Sequence, residues 1–338
     1  MLKRQINNIM ISVNKRAVAV LNEVKDKCDK LNVEYVKLGN GAHIFNFSEA
    51  NFDGGIYLSR VCMGDLCQIS QSVVKARIAA QSGSVDLEML EVETQEPIIG
   101  CMAAQYAGWS IKVKKLNDEG KKKTYFKCMG SGPARSIALK EKKLFEEIKY
   151  KDTHNQGVLV LETSQMPDEG VAEYVAEKCG IEPKNVYLCY APTACLSGSI
   201  QISARIVETS IHKFLELGIN PEWIVSGTGN CPVAPVAKDD FKAMGWTNDC
   251  IIFAGNVTLN MDVDASEEGE LKKLVEKCPS NTSPSYGKPF AQVFKDAGGD
   301  FYKIDPGMFA PAKITVINRL TGNVFEKGDL NPTALDFS

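Results

Sequence analysis

Four polar side chains in the second half of the chain are spaced so that they could form one site. They are Gln201, Arg205, Glu208 and His212. At about 100° per residue they lie on one narrow stripe of a helix that we predict from Ser197 to Gly218. In a cleft, this stripe would offer a ligand a carboxylate and a guanidinium. In water, Arg205 and Glu208 would be an ion pair that contributes only about a few tenths of a kcal/mol.

The segment that enters this helix is also suited to a polar ligand. Residues 191–199 follow a predicted strand and lead into the helix N-terminus, where backbone N–H groups are free to bind. We predict that Ser199 caps the helix and that Gly218 ends it.

Two glycine-containing segments could bind a ligand as well. In Gly130-Ser131-Gly132-Pro133-Ala134-Arg135-Ser136, glycine permits close backbone approach and Arg135 could hold a phosphate or carboxylate through two parallel hydrogen bonds. The alternative is a tight turn, because the segment matches neither a Walker loop nor G-x-G-x-x-G. The second segment, residues 226–232, follows a predicted strand and is either a ligand loop or a simple connection.

The composition favours a globular protein with a small ligand. The chain has 338 residues, 44% of them hydrophobic, and its 39 basic against 42 acidic residues give a formal charge of -3. No overall field therefore attracts nucleic acid or an anionic membrane. The 11 cysteines are odd in number and scattered among apolar neighbours, which predicts buried thiols in a cytoplasmic protein. Neither they nor the histidines have the spacing of a metal site, so we expect no metal.

Hydrophobic periodicity predicts the elements that position these residues. The order strand, helix, strand over 158–162, 169–178 and 186–191 indicates α/β architecture, with Gly180 ending the helix. Near the other end, Ser12 or Asn14 could cap the first helix. The other predicted elements are helix 16–31, strands 34–38 and 42–47, a turn at 51–55, strands 56–62 and 84–93, helix 98–107, strands 224–226 and 251–254, helix 267–277 and strand 312–318.

A lysine-rich stretch over residues 112–127 predicts a β-hairpin. Asn117-Asp118-Glu119-Gly120 in its middle has the chemistry of a turn between two strands. We expect its lysines to face water, and the alternative is an anion-binding role.

The change of rhythm near residues 150–157 is the predicted domain boundary. It separates an N-terminal α/β domain over 10–155, which the C-terminal strand region could complete, from a C-terminal α/β domain over 156–338. Residues 1–9 are polar and irregular, and we predict that they form an N-terminal extension.

Several of these segments strongly resemble methenyltetrahydromethanopterin cyclohydrolases. The resemblance is carried by residues 129–135, 191–194 and 198–203, with further similarity at 107–109, 242–245, 247–249, 286–290 and 301–306. It runs from about Met10 to the C-terminus.

This resemblance implies reversible hydrolysis of the cyclic methenyl bridge of 5,10-methenyltetrahydromethanopterin to the 5-formyl product. The reaction belongs to one-carbon metabolism and methanogenesis, and it needs no metal or organic prosthetic group. The catalytic pair falls on Arg205 and Glu208, with Glu208 as the general base and Arg205 keeping it ionised and aligned. Candidates for holding the pterin or its anionic tail are Ser131, Gly132, Arg135, Ser199 and Gln201. The implied subunit is α/β of the α+β type, with two domains and a deep inter-domain cleft, and it assembles as a homotrimer.

The chain departs from the family's pattern before residue 130. Residues 46–51 replace a V-N-V-P-G-S-like run, Asp65 replaces a glycine in M-G-G-L, Glu96 replaces a histidine before proline, and the lysine-rich stretch is longer. If these segments line the pterin cleft, substrate choice or activity could differ. One alternative is therefore a cyclohydrolase for another reduced pterin or a folate, and another is a non-catalytic pterin-binding protein.

Overall fold

Two six-stranded sheets with helices packed against them make up the described chain. The computed structural model describes residues 11–72, 75–80, 83–116, 120–299 and 303–338. The predicted extension 1–9 and the predicted turn residues 117–119 lie outside these ranges. Within them, no helix is long and apolar enough to cross a membrane. The predicted α/β class is confirmed.

The first sheet has a parallel centre and antiparallel edges. Its strands, in spatial order, are β1 (Glu34–Lys37), β2 (His43–Asn46), β10 (Val186–Ala191), β9 (Gly157–Glu162), β8 (Lys122–Ser131) and β7 (Trp109–Leu116). Strands β2, β10 and β9 are parallel, and the remaining pairs are antiparallel. Because β9 and β10 pair with strands that precede residue 155, the predicted domain boundary crosses this sheet.

The βαβ unit at the centre of this sheet confirms the strand, helix, strand order that hydrophobic periodicity predicted. Helix α6 (Glu169–Cys179) connects β9 to β10, and the parallel pairing needs such a crossover. The Asp168 side chain accepts a hydrogen bond from the Val171 N–H at 3.0 Å, which caps the start of the helix. Gly180 follows its end with φ +66°, as predicted.

The second sheet is antiparallel except between β12 and β13. Its strands, in spatial order, are β14 (Val324–Gly328), β13 (Lys313–Asn318), β12 (Asn256–Met261), β11 (Ile224–Pro232), β6 (Met89–Thr94) and β3 (Cys67–Gln71). Strands β4 (Ala76–Ala80) and β5 (Gly83–Leu87) form a separate hairpin. The predicted single strand over 84–93 is therefore two strands that meet at Glu88.

The remaining helices cover the faces of the two sheets. They are α1 (Val13–Lys25), α2 (Cys28–Leu31), α3 (Phe52–Cys62), a π-helix (Ile98–Gln105), α4 (Arg135–Ala138), α5 (Lys142–Ile148), α7 (Leu196–Ser203), α8 (Ile206–Glu216), α9 (Asp240–Ala254), α10 (Glu268–Lys277) and α11 (Phe290–Asp296). Helices α1 and α3 pack on one face of the first sheet and α6 on the other. Helices α7, α8 and α9 pack on the second sheet. The predicted helix 16–31 is α1 plus α2, and Ser12 caps α1.

Residues 52–62 form helix α3, so the predicted turn and strand there are wrong. The Asn51 side chain caps α3 by accepting from the Gly54 N–H at 3.0 Å. The two glycines serve packing rather than turning, because a Cβ on Gly55 would lie 2.6 Å from Ile200 Cδ1 of α7. Gly55 thus allows α3 and α7 to approach closely, and Gly54 allows the close approach of Ala50 and the Leu31 carbonyl.

Two other predictions failed for related reasons. Residues 251–254 form the buried last turn of α9, and a short apolar run does not distinguish a strand from a buried helix. Residues 226–232 form part of β11 rather than a loop. Glycine is required there because a Cβ on Gly227 or Gly229 would contact α8 at 2.9 Å or 3.0 Å.

Candidate active site

A cavity of about 230 Å³ opens beside the predicted polar stripe. Its walls come from α7 and α8, from strand ends of the first sheet, from α9 and from the segment before β13. The lining residues are Tyr106, Ala107, Met129, Glu162, Gln201, Ile202, Arg205, Glu208, Thr209, His212, Glu216, Met244, Asn248, Ile251, Ile304, Pro306 and Phe309. All four members of the stripe border the cavity.

The helix that carries the stripe is interrupted, which corrects the prediction of one continuous helix. Helix α7 ends at Ser203 and α8 begins at Ile206, and Arg205 lies between them with φ -79° and ψ 3°. The cap of α7 is Cys195, whose Sγ accepts from the Gly198 N–H at 3.2 Å, and not Ser199. Gly218 follows α8 with φ +86° and stops it, as predicted.

The Arg205 guanidinium is held from several directions. Its Nη1 donates to the Gln105 carbonyl oxygen at 2.7 Å, where the π-helix ends. Its Nη2 donates to Ser131 Oγ at 3.2 Å and to Gln201 Oε1 at 3.0 Å. Because these acceptors belong to three different elements, the orientation of the guanidinium is fixed before any ligand arrives.

Glu208 lies next to this guanidinium at the wall of the cavity. Its Oε2 is 3.4 Å from Arg205 Nη1, and the side chains of Arg205 and Glu208 are only 11% and 6% exposed. The pair is therefore not the solvent-exposed ion pair considered as the alternative. In this position the carboxylate can accept a proton from a water in the cavity, and Arg205 fixes its place relative to that water.

Cys62 belongs to the same cluster, although its sequence context does not mark it. Its Sγ is 3.3 Å from Ser131 Oγ and 3.9 Å from Arg205 Nη2. Burial raises the pKa of the Cys62 thiol, and Arg205 opposes this only in part. The thiol therefore stays neutral beside the guanidinium, so Glu208 is the anion of this cluster that pairs with Arg205.

Tyr106 and His212 form an aromatic wall beyond Glu208. Their ring centroids are 5.1 Å apart with an interplanar angle of 20°. Burial and the nearby Glu208 charge raise the pKa of Tyr106 to about 12, so this residue is a neutral phenol. His212 Nε2 lies 3.9 Å from Glu216 Oε1 one turn further along α8.

The predicted ligand-holding residues separate into two groups. Gln201 borders the cavity, and Ser131 lies directly behind it through its hydrogen bond to Arg205. Gly132 is part of the backbone scaffold, since its φ of +104° suits glycine and its N–H donates to the Ala104 carbonyl at 2.8 Å. Ser199 is buried inside α7 and does not border the cavity.

Arg135 also lies outside the cavity, because its side chain is buried and its Nε and Nη1 contact other parts of the scaffold. It is fully buried, its Nε lies 2.7 Å from Glu141 Oε1, and its Nη1 donates to the carbonyls of Met102 and Ala104 at 3.1 Å. Its guanidinium lies 5.2 Å from the ring centre of Tyr106. Arg135 therefore supports the π-helix and the aromatic wall from behind. This position does not favour the predicted direct contact between Arg135 and an anionic ligand.

An Arg135→Ala substitution should therefore destabilise the protein strongly. It removes the ion-pair partner of Glu141 and the Arg135 hydrogen bonds to the carbonyls of Met102 and Ala104, and loss of one member of a buried pair costs about 3 kcal/mol or more. The measurement is the free energy of unfolding in urea. Arg319→Ala is the matched control, because Arg319 and its partner Asp262 are 49% and 34% exposed. Equal losses in the two variants would contradict the structural role of Arg135.

Several residues that line the cavity were not predicted as site residues, although the segments that contain them resemble the family. Met244, Asn248, Ile304 and Pro306 all lie in segments that carry the family resemblance, at 242–245, 247–249 and 301–306. No chemical role could be assigned to them because they are far apart in sequence. The fold brings them to one cavity wall.

Three of the four departures from the family's pattern lie away from the cavity. Neither residues 46–51 nor Asp65 nor Glu96, all within the described ranges, border the cavity. Asp65 instead pairs with Arg60 at 2.9 Å and borders a separate surface depression together with Glu96. These three departures therefore do not contribute to the wall around Glu208.

Within the part of the chain that the structure describes, no group of three or more His, Cys, Asp or Glu side chains could hold a metal ion.

Comparison with known proteins gives one consistent result. The family model described as Cyclohydrolase (MCH) matches residues 12–338. A methenyltetrahydromethanopterin cyclohydrolase of Methanococcoides burtonii is 44% identical over 329 residues, which cover 96% of this chain and 97% of the relative. Proteins with the same name from Methanosarcina mazei and Methanocaldococcus jannaschii are 43% and 40% identical, with the same two coverages. This chain therefore belongs to the MCH cyclohydrolase family.

Proposed function

We propose that this chain hydrolyses the cyclic methenyl bridge of 5,10-methenyltetrahydromethanopterin to the 5-formyl compound, in a reversible reaction of one-carbon metabolism. The observation that carries the proposal is the Arg205–Glu208 pair, 3.4 Å apart and almost buried at the wall of a cavity. The identity of the substrate is inferred from the names of the relatives given above.

The first step is the addition of water to the methenyl carbon. That carbon is part of an amidinium cation and is already electrophilic, so the missing ingredient is an oriented and partly deprotonated water. Glu208 accepts the water proton while the oxygen bonds to carbon. Because the electrophile is supplied by the substrate itself, the proposed route uses only residues of this chain and no metal or organic cofactor.

The second step opens the ring. The hydroxyl group of the tetrahedral adduct loses its proton to solvent and becomes the formyl C=O on N5, while the bond between carbon and N10 breaks and its electron pair stays on N10. N10 takes a proton, for which Glu208 is the donor in this proposal. A cationic substrate and a water thus give a neutral formyl group and one proton released to solvent, so rising pH favours hydrolysis at equilibrium.

The assay follows the loss of methenyltetrahydromethanopterin absorbance with purified protein and no added metal. We expect turnover of this substrate and slower turnover of methenyltetrahydrofolate. Faster turnover of the folate would identify a cyclohydrolase for another carrier. Ligand binding with an unchanged spectrum would instead identify a non-catalytic pterin-binding protein.

We extend the proposal to a homotrimer in the cytoplasm, with subunits of two domains that enclose the cavity in a deep cleft. The cytoplasm is supported by the 11 cysteines, all of which lie in the described residues as free thiols. Light scattering that gives three times the subunit mass would support the trimer.

A further inference from the structure

The cavity floor continues onto an exposed part of the first sheet. Met129 and Glu162 border the cavity and are direct partners on β8 and β9. Ser110 of β7 is the partner of Met129 on the other side. Because side chains alternate between the two faces of a sheet, Ser110, Met129 and Glu162 share the face that borders the cavity.

The next pair on this face consists of two lysines. Lys112 and Lys127 are direct partners, each two residues from Ser110 or Met129 and therefore roughly 7 Å further along the strands. Both are exposed. Lys114 follows Lys112 on the same face, so positive charge extends outward from the cavity rim.

The opposite face of this hairpin is apolar next to the cavity end of the strands. Ile111, Val113 and Phe126 point there and pack with helix α6. Beyond them, at the hairpin tip, Lys115 and Lys123 form a second cross-strand pair. Lys115 alternates with Lys112 and Lys114, so this second pair faces away from the cavity side.

Two lysines directly opposite each other in a sheet repel and destabilise it slightly. An anion between Lys112 and Lys127 would convert this repulsion into attraction. The pair lies two residues further along the strands than Met129, which borders the cavity, and on the same face of the sheet. The formal net charge of the whole chain is -3, so a row of lysines of this kind is a local feature and not the consequence of a generally basic surface.

We propose that Lys112 and Lys127, continued by Lys114, bind the anionic tail of the pterin carrier while its ring system occupies the cavity. This inference rests on the proposed function and adds a specificity-determining subsite to it. The lysines touch only the tail, which does not react, so they contribute to substrate binding and not to the chemical step.

The test compares two variants of equal charge change. Lys112→Gln/Lys127→Gln should raise KM for methenyltetrahydromethanopterin about tenfold with kcat unchanged, the scale of two exposed ion pairs. Lys115→Gln/Lys123→Gln removes the same charge from the other face and should leave KM within about twofold of the wild-type value.

A second substrate separates this inference from the proposed function. With a methenyltetrahydropterin that lacks the anionic tail, the wild type and the Lys112→Gln/Lys127→Gln variant should have the same KM. Equal KM values for both double variants on the full substrate would overturn the subsite while leaving the activity in place. Absence of wild-type turnover on either substrate would overturn the proposed function, and the subsite with it.

Discussion

Glu208→Gln should lower kcat by about 10²- to 10⁴-fold, the usual contribution of a positioned general base. Glutamine keeps the size and shape of glutamate and can still contact Arg205, but it cannot accept the proton of the attacking water. Glu208 lies at the cavity wall with Arg205 Nη1 at 3.4 Å, so the substitution changes the proton acceptor more than the packing. The measurement is the rate of methenyl absorbance loss at saturating substrate.

Glu216→Gln is the matched control for this experiment. Glu216 is a carboxylate on the same helix and borders the same cavity, but its side chain is 51% exposed and lies beyond His212. It should change kcat by less than about threefold, since a solvated carboxylate at the rim contributes little to proton transfer. A Glu208→Gln variant that retains more than about a tenth of wild-type kcat would show that another group, or bulk solvent, removes the proton.

The sequence could predict that Arg205 and Glu208 lie side by side, because their spacing is local. Gln201, Arg205, Glu208 and His212 meet through helical periodicity alone, and the break at Arg205 leaves all four on the cavity wall. The βαβ unit around α6 was predictable for the same reason, since its strands and helix follow one another with short connections.

The partners that hold the pair could not be predicted, because they arrive from distant positions. The Gln105 carbonyl and Cys62 are separated from Arg205 by 100 and 143 residues. No periodicity connects such positions, and a backbone carbonyl leaves no mark in the residue type. The distribution of strands β3, β6 and β11 in one sheet is unpredictable for the same reason.

Residue type alone also led to the wrong structural interpretation of Arg135 and of the glycines of β11. An arginine after a glycine-rich turn has the chemistry of an anion site, yet its guanidinium is buried against the π-helix and Glu141. Gly227 and Gly229 resemble a ligand loop, but they are small because α8 packs against them. In both cases the deciding quantity is burial, which depends on the tertiary fold.

Substitution of Arg205 should reduce activity almost as much as loss of Glu208. Arg205→Ala removes the cation next to the carboxylate and three hydrogen bonds that fix the site, and we expect at least about a hundredfold loss in kcat. Arg205→Lys keeps the charge. Its single ammonium cannot reach the Gln105 carbonyl, Ser131 and Gln201 together, so we expect it to recover less than about a tenth of wild-type kcat.

Chemical rescue can distinguish this geometric role from a purely electrostatic one. Arg205→Ala leaves space next to a cavity of about 230 Å³, so added guanidinium can occupy the vacated position and form the same planar set of hydrogen bonds. We expect guanidinium to restore part of the lost kcat of Arg205→Ala, and sodium at equal ionic strength to restore none. Full activity in Arg205→Lys, or equal rescue by both cations, would mean that positive charge alone is sufficient and that the fixed orientation of the guanidinium has no catalytic role.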